Sequence, residues 1–332
     1  MNHNQSRGRL LVFDCHEAWV YQLRLLDQLM DVVVGLKGRY TAGWDYRMRP
    51  FPPNARIVTL QEALAATAPY DCIIAHNLTD LLDVKSLDAP RLFVIHGTLE
   101  GIALEEGAKT PMDQFRRTTA QYLSLVGAHA IAISRLKALS WGLGDEYLLP
   151  AVDTVDYLPY RGDLASGLRV ANHIHLRPRT LLWDFHQAAF DGLPIRIIGH
   201  NDDMPGVEAA RDWAELKENM SRHRFFVHTA DVRFEDGYNL ATLEAMAAGL
   251  PILGNRHPTS PVEHRISGFL SDDPLELRQF AVQLLEDQTL AARMGREAQK
   301  TVAEKFPPGK FKAGLSHAIK VARTKWRARR RI

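Results

Sequence analysis

Short apolar runs alternate with longer stretches at helical spacing along the whole chain. In the first half the strand candidates fall at 10–14, 31–36, 56–60, 71–76, 91–96 and 129–134, with helices expected over 17–30, 61–68 and 112–127. In the second half strands are expected at 169–174, 195–200, 224–229, 251–256 and 268–272. Helices follow at 178–190, 208–220, 240–248, 274–286 and 289–305. The strand runs are apolar throughout and do not alternate, as parallel strands covered on both faces do. Regular alternation of such strands with helices predicts an α/β fold built on parallel sheets with right-handed crossovers. The stretch 148–167 is rich in Pro, Gly and Asp and reads as a linker. The expected division is 1–155, 156–310 and a C-terminal helix with a basic tail, 311–332.

Parallel α/β sheets bind ligands beyond the carboxyl ends of their strands. In the first half these positions hold Asp14-Cys15-His16-Glu17, His76-Asn77, His96-Gly97-Thr98 and Ser134-Arg135. In the second half they hold Gly199-His200-Asn201, His228-Thr229 and Asn255-Arg256-His257. Any one of them could be no more than the place where a chain turns polar; their recurrence in both halves points to a site in each.

Composition narrows the class. At 332 residues, 46% hydrophobic and 24% charged, the chain suits two soluble globular domains. No apolar run approaches the ~18–20 residues that span a bilayer, and residues 1–14 lack the apolar region of a signal peptide. Neither Cys15 nor Cys72 belongs to a Cys-x-x-Cys pair. The expectation is therefore a cytoplasmic protein with no disulfide scaffold and no structural metal site. Net charge is +2, but residues 320–332 carry seven basic side chains and no acid, which leaves the remaining body at −5. A mildly acidic body argues against a nucleic-acid partner. The tail, with Trp326 and Ile332 among its charges, is either a peripheral contact for an anionic membrane or a disordered, solvated end.

The most informative segment is EDGYNLATLEAMAAGLPIL, 235–253. Gly237 permits a tight turn, and Asn239 is a good N-cap. Leu240, Leu243, Met246 or Ala247, and Leu250 form a buried helical stripe, which Gly249 and Pro251 end. The helix N-terminus suits a diphosphate. Glu244, one turn in, can accept two hydrogen bonds from vicinal ribose hydroxyls or can be a solvated or dipole-compensating acid near a helix start.

This segment resembles the acid-x7-acid and Ala-Met-Ala-x-Gly-x-Pro signature of retaining GT-B glycosyltransferases, particularly the large family-four group. The resemblance extends to 268–306, which includes a Met-Gly-x-x-Ala turn. It also takes in 148–159, 130–138 and 195–202. Together these cover about half the chain, most densely in its second half. The resemblance implies two Rossmann-like domains with parallel sheets facing a central cleft. It also implies a nucleotide-diphosphate sugar as donor substrate, no cofactor, and a glycan or lipid-linked acceptor.

Carried onto this sequence, the resemblance gives Glu244 the ribose. One of Glu235 and Asp236 takes the donor-sugar hydroxyls; Asp236 leaves seven residues before Glu244 and Glu235 leaves eight. Asn239 stands where the family has glycine. Asn239, Leu240, Gly199 and His200 belong to the donor site. Arg177 and Arg179 are candidates for the diphosphate, or are surface arginines; no lysine matches the family's. His96 would face the donor sugar, with His16 and His76 on the acceptor side. The loop after the first strand holds Cys15-His16-Glu17-Ala18 where relatives carry glycines. No Asp-x-Asp metal motif stands in a credible position, so metal-free stabilisation of the leaving diphosphate by arginines and helix N-termini is expected. Competing readings are a nucleotide-sugar epimerase of the same architecture and a catalytically silent sugar-nucleotide-binding protein.

Overall fold

The structure, a computed structural model, describes residues 8–36 and 43–329. The chain forms two compact units, neither continuous in sequence. One comprises Met1–His96, Lys109–Pro150 and Gly309–Ile332; the other comprises Gly97–Ala108 and Ala151–Pro308. The sequence reading divides the chain near 155 and leaves 311–332 apart. In the structure the last helix belongs to the first unit, and a short internal segment belongs to the second.

The first unit holds strands β1 (Arg9–Phe13), β2 (Leu29–Val33), β3 (Ala55–Val58), β4 (Cys72–Ala75), β5 (Arg91–Ile95) and β6 (Ala128–Ala132). All pair in parallel, in the order β3-β2-β1-β4-β5-β6. That is the doubly wound order of dinucleotide-binding sheets, and it reverses between β1 and β4. Central β1 is buried on both faces: Leu11 and Phe13 pack with Val33, Val58 and Ile73 in one cluster, and Leu10 and Val12 are fully buried too. This two-sided burial is why the run shows no alternation in sequence.

Helices α1 (Glu17–Gln22), α2 (Leu60–Leu64), α3 (Leu78–Asp83), α4 (Leu99–Glu105), α5 (Met112–Leu125) and α6 (Arg135–Ser140) follow the strands, α4 being in the second unit. The helix expected over 17–30 is shorter. It ends at Gln22, passes through a 3-10 turn at Leu23–Leu25, and gives way to β2 at Leu29. Leu29 and Met30 look helical locally but pair with Arg9 and Leu10 of β1, so sheet pairing overrides local preference.

The second unit holds β7 (Leu164–Val170), β8 (Ile195–Ile198), β9 (His223–Val227), β10 (Ile252–Gly254) and β11 (Gly268–Leu270), all parallel, in the order β11-β10-β9-β7-β8. Numbered within the unit, this is the other common doubly wound order, and it reverses between β7 and β9. Around the sheet lie α7 (Trp183–Phe190), α8 (Trp213–Arg222), α9 (Leu240–Ala247), α10 (Pro274–Glu286) and α11 (Gln288–Lys305). Phe225, Val227, Leu253 and Phe269 from the strands pack with Phe190, Leu277, Ala281, Leu284 and Leu290 from these helices. β7 begins at Leu164, five residues before the apolar run at 169, so the linker is shorter than the composition of 148–167 suggests.

The chain ends in α12 (Pro308–Arg329), which packs in the first unit. Phe311, Leu315, Ala318, Ile319, Ala322 and Trp326 form its buried stripe at helical spacing. Phe311 meets Trp19 edge-on at 6.3 Å, and the Arg91 guanidinium stacks 4.3 Å over Trp326. Through residue 329 the basic end is therefore an ordered helix, which corrects the disordered-end alternative. Trp326 is committed to the core and cannot serve as a membrane anchor. Residues 330–332, including Ile332, lie outside the described residues. Among the described residues no helix is long and apolar enough to cross a membrane.

Candidate functional site

In the second unit the loop after β9 leads into α9, and Asn239 caps that helix as its residue type predicts. Asn239 Oδ1 accepts from Thr242 N at 2.8 Å, and Thr242 Oγ1 accepts from Asn239 N at 3.3 Å. The first backbone N–H groups beyond the cap have no intrahelical partner. They sit at the positive end of the helix, suited to an anion. Leu240 is half-buried there, whereas Thr242–Ala247 are all buried. Glu244 lies one turn in and is 5% exposed, so its carboxylate is no solvated acid.

The two adjacent acids differ in setting. Asp236 is buried, and its backbone N–H donates to Glu235 Oε1 at 2.8 Å; Glu235 is half-buried. His228 at the end of β9 donates from Nε2 to the Asp236 carbonyl at 3.2 Å. Burial drives the His228 pKa down to about 4, so the ring is neutral. Gly237 N donates to Thr259 Oγ1 at 2.8 Å, and a β-carbon on Gly237 would stand 2.7 Å from the His257 side chain. His257 Nδ1 accepts from Thr259 N at 3.1 Å, and burial lowers its pKa as well. The glycine is thus required by a close approach. His228, His257 and Thr259 pack around the acid loop and are not announced by the acid motif. Two of them stand at the strand ends flagged by the sequence; Thr259 gives no signal.

A second loop cluster surrounds Gly199. Its φ is positive, and a β-carbon would collide with the Ala171 carbonyl that closes β7. The loops after β7 and β8 are stitched together there. His200 N donates to Asn172 Oδ1 at 2.9 Å and His173 N to the His200 carbonyl at 2.8 Å. Asn201 takes a hydrogen bond from Ile174 N and gives one to the Ala171 carbonyl, both 2.8 Å. Arg177 Nη2 donates to the Asn172 carbonyl at 2.9 Å, and its Nη1 stands 3.9 Å from Glu105. Arg177, Gly199 and His200 therefore belong to one cluster. Arg179 is exposed, its guanidinium 5.6 Å from the Phe234 ring. His173 and Leu182 both adopt left-handed backbone conformations. That costs a non-glycine residue about 1–2 kcal/mol, and such strain gathers at ligand clamps. The acid loop is tied to this segment by Asp231 N, which donates to the Thr180 carbonyl at 3.0 Å. Beneath it lies Arg169, a fully buried cation on β7 that donates to Thr229 Oγ1 and the Leu181 carbonyl. Burial pulls its pKa down to about 9.

In the first unit, the loops after β1, β4 and β5 bring Cys15, His76 and His96 together. His96 Nε2 lies 2.9 Å from His76 Nδ1 and 3.7 Å from Cys15 Sγ. Trp19 meets both imidazoles edge-on, at 5.0 and 5.3 Å. Burial lowers both histidine pKa values, that of His76 to about 3, so both rings are neutral. Burial and the neighbouring Glu17 push Asp14 up to about 7. His16 is exposed, and its carbonyl starts α1 by accepting from Trp19 N and Val20 N. Among the described residues, Cys15, His76 and His96 form a cluster whose donor atoms could hold a metal ion.

No protein-family model matches the chain. It is similar to N-acetyl-alpha-D-glucosaminyl L-malate synthase of Bacillus anthracis, with 36% identity over 76 residues. That match covers 22% of this chain and 20% of that protein. TarM of S. aureus superposes with a TM-score of 0.57 at 14% identity, over 75% of this chain and 55% of that one. TarM has been solved in complex with fondaparinux, alpha-GlcNAc-glycerol and UDP. HepE of Anabaena, solved with UDP-glucose, gives a TM-score of 0.67 at 14% identity over 94% of this chain and 99% of that one. Two parallel α/β units of these strand orders, matched along nearly the whole length of HepE, give this chain the GT-B fold of glycosyltransferases.

Proposed function

We propose that this protein is a glycosyltransferase that moves a sugar from a nucleotide-diphosphate donor to a glycan or lipid-linked acceptor, with retention and with no metal at the leaving diphosphate. The observation that carries the reading is the N-terminus of α9, capped by Asn239, with the buried carboxylate of Glu244 one turn inside. Structures of the same fold have been solved with UDP-glucose, and with UDP and glycan ligands, which fits a donor of this class.

In this reading Glu244 accepts hydrogen bonds from the ribose. The α9 N-terminus and Arg177 meet the diphosphate, with the Gly199–His200 loop beside Arg177. The leaving group gains negative charge as its bond to the anomeric carbon breaks, and preorganised N–H groups and a guanidinium stabilise that charge. Arg177 is the stronger of the two arginine candidates, because the Asn172 carbonyl holds it in place. Glu235 or Asp236 contacts the donor sugar. Attack from the face the diphosphate leaves gives retention without an enzyme nucleophile. For a lipid-linked acceptor, the exposed cations of α12, among them Lys320, Lys325 and Arg327, are the surface we expect against an anionic bilayer.

Turnover separates this reading from its two rivals. Nucleotide-diphosphate sugars are incubated with and without a panel of glycan and lipid-linked acceptors. Acceptor-dependent release of the nucleoside diphosphate is expected. Isomerised donor without acceptor would make the protein an epimerase, and binding with no turnover would make it a silent binder.

A further inference from the structure

The strand order of the first unit reverses between β1 and β4, and the loops after those strands carry Cys15 and His76. Ligands of open α/β sheets collect at such reversals. His96, after neighbouring β5, completes the group, and one donor atom from each residue lies within 4.8 Å of the others. We propose that Cys15, His76 and His96 bind a divalent transition metal, zinc first among them, with one coordination position left open.

Zinc bonds thiolate sulfur at about 2.3 Å and imidazole nitrogen at about 2.0–2.1 Å. A tetrahedron with those bonds has sulfur–nitrogen edges of about 3.6 Å and nitrogen–nitrogen edges of about 3.4 Å. The Cys15–His96 edge, 3.7 Å, already has that length. The His96–His76 edge, 2.9 Å, is a hydrogen bond and opens by about half an ångström as two metal bonds replace it. One thiolate and two imidazoles select zinc or copper over magnesium and calcium.

The surroundings are built for a charged guest. Trp19 braces both rings, and Asp80 fixes the loop after β4 by accepting from His76 N and Asn77 N at 2.9 and 2.8 Å. Beside Cys15, the buried Asp14 Oδ1 has no hydrogen-bond partner among the described residues. His76 is buried while Cys15 and His96 are half-buried, so the open position lies on their accessible side. Three protein ligands and one open position are the pattern of a catalytic rather than a structural zinc. The class of ligand for that position is an oxygen donor, water or a hydroxyl.

Cobalt(II) titration of the chelator-stripped, full 332-residue chain tests this without donor or acceptor, so its outcome is separable from the fate of the transferase reading. One equivalent should produce a thiolate-to-cobalt charge-transfer band in the near ultraviolet and the intense visible bands of four-coordination. Zinc should bleach both. Cys15→Ser should lose the charge-transfer band and Cys72→Ser should keep it. His76→Asn should weaken cobalt binding at least as much as loss of an outer-shell partner, ~10–100-fold. Each variant is checked for an unchanged thermal melt, and His96→Asn replaces His76→Asn if that variant unfolds. A titration without the charge-transfer band, or a band undiminished in Cys15→Ser, overturns the proposal; the three residues would then be only a hydrogen-bonded string.

Discussion

Gly295 of α11 lies directly against the carbonyl oxygen of Gly249, the residue that turns the chain out of α9. Gly249 has a φ of +84°, and Leu250 N donates back to the Ala245 carbonyl, as at a Schellman helix end. A methyl group on Gly295 would collide with that carbonyl. The Met-Gly turn of α11 and the glycine that ends the acid motif are thus two halves of one contact. Gly295→Ala should destabilise the protein by about 1–3 kcal/mol through overpacking. A urea melt should show a lower midpoint with an unchanged slope; an unshifted midpoint would mean that the two helices are free to separate.

Glu244→Gln keeps the shape of the side chain and removes its charge. Hydrogen bonds to a charged group contribute about 1.5–3 kcal/mol, so nucleotide affinity should fall roughly 10–100-fold. Asn239→Ala should cost about 1 kcal/mol of stability through the lost cap. Calorimetric titration with the preferred nucleotide, alongside a melt, separates the two effects. Equal nucleotide affinity in wild type and Glu244→Gln would remove the ribose role.

Trp326→Ala should destabilise the protein by about 3–5 kcal/mol, because it empties a buried site on α12 and removes the ring under Arg91. A wild-type-like melt would return the ring to the surface. Any liposome binding that remains should be electrostatic and vanish with added salt.

Stability should fall steeply as pH drops below about 6.5. Burial pulls the pKa of His129 and His228 down to about 4 and that of His186 to about 2. These rings are neutral when folded and take up protons when unfolded between those values and about 6.5. The unfolded state then binds more protons, so stability rises with pH across that window. His76 and Asp14 shift in opposite senses and offset each other between about 4 and 6.5. Three imidazoles give a limiting slope of about 4 kcal/mol per pH unit near pH 5. Urea melts between pH 4.5 and 7.5 check this; a flat profile would show that these rings are not dry in the folded state.

Legibility in the sequence followed how locally each feature is encoded. α10 occupies Pro274–Glu286, the expected bounds, because Asp273 caps it and Pro274 sits at its first position. α9 is legible for the same reason, through Asn239 and Gly249. β7 is not: its first residues, Leu164–Gly167, look like linker, yet Gly167 is there so that Ile195 and Phe225 can pack over it. A glycine serving tertiary packing carries the same local signal as one serving a turn. Glu235, Asp236 and Glu244 could be read as one group because they lie on one helix and its leading loop. The Cys15–His76–His96 group draws on three loops far apart in sequence. Each residue was visible as a strand end, but their convergence depends on strand order, which no local pattern specifies.

The central claim, a nucleotide-diphosphate site at the start of α9, is tested most directly by thermal unfolding of wild type and Glu244→Gln across a panel of nucleoside diphosphates, UDP included. The account predicts that at least one raises the wild-type midpoint, by the equivalent of about 2.7 kcal/mol at a hundredfold excess over its dissociation constant. The same ligand should stabilise Glu244→Gln by only about 0.4–1.4 kcal/mol at that concentration. A panel in which no nucleoside diphosphate shifts the wild type, or one that shifts both proteins equally, would contradict it.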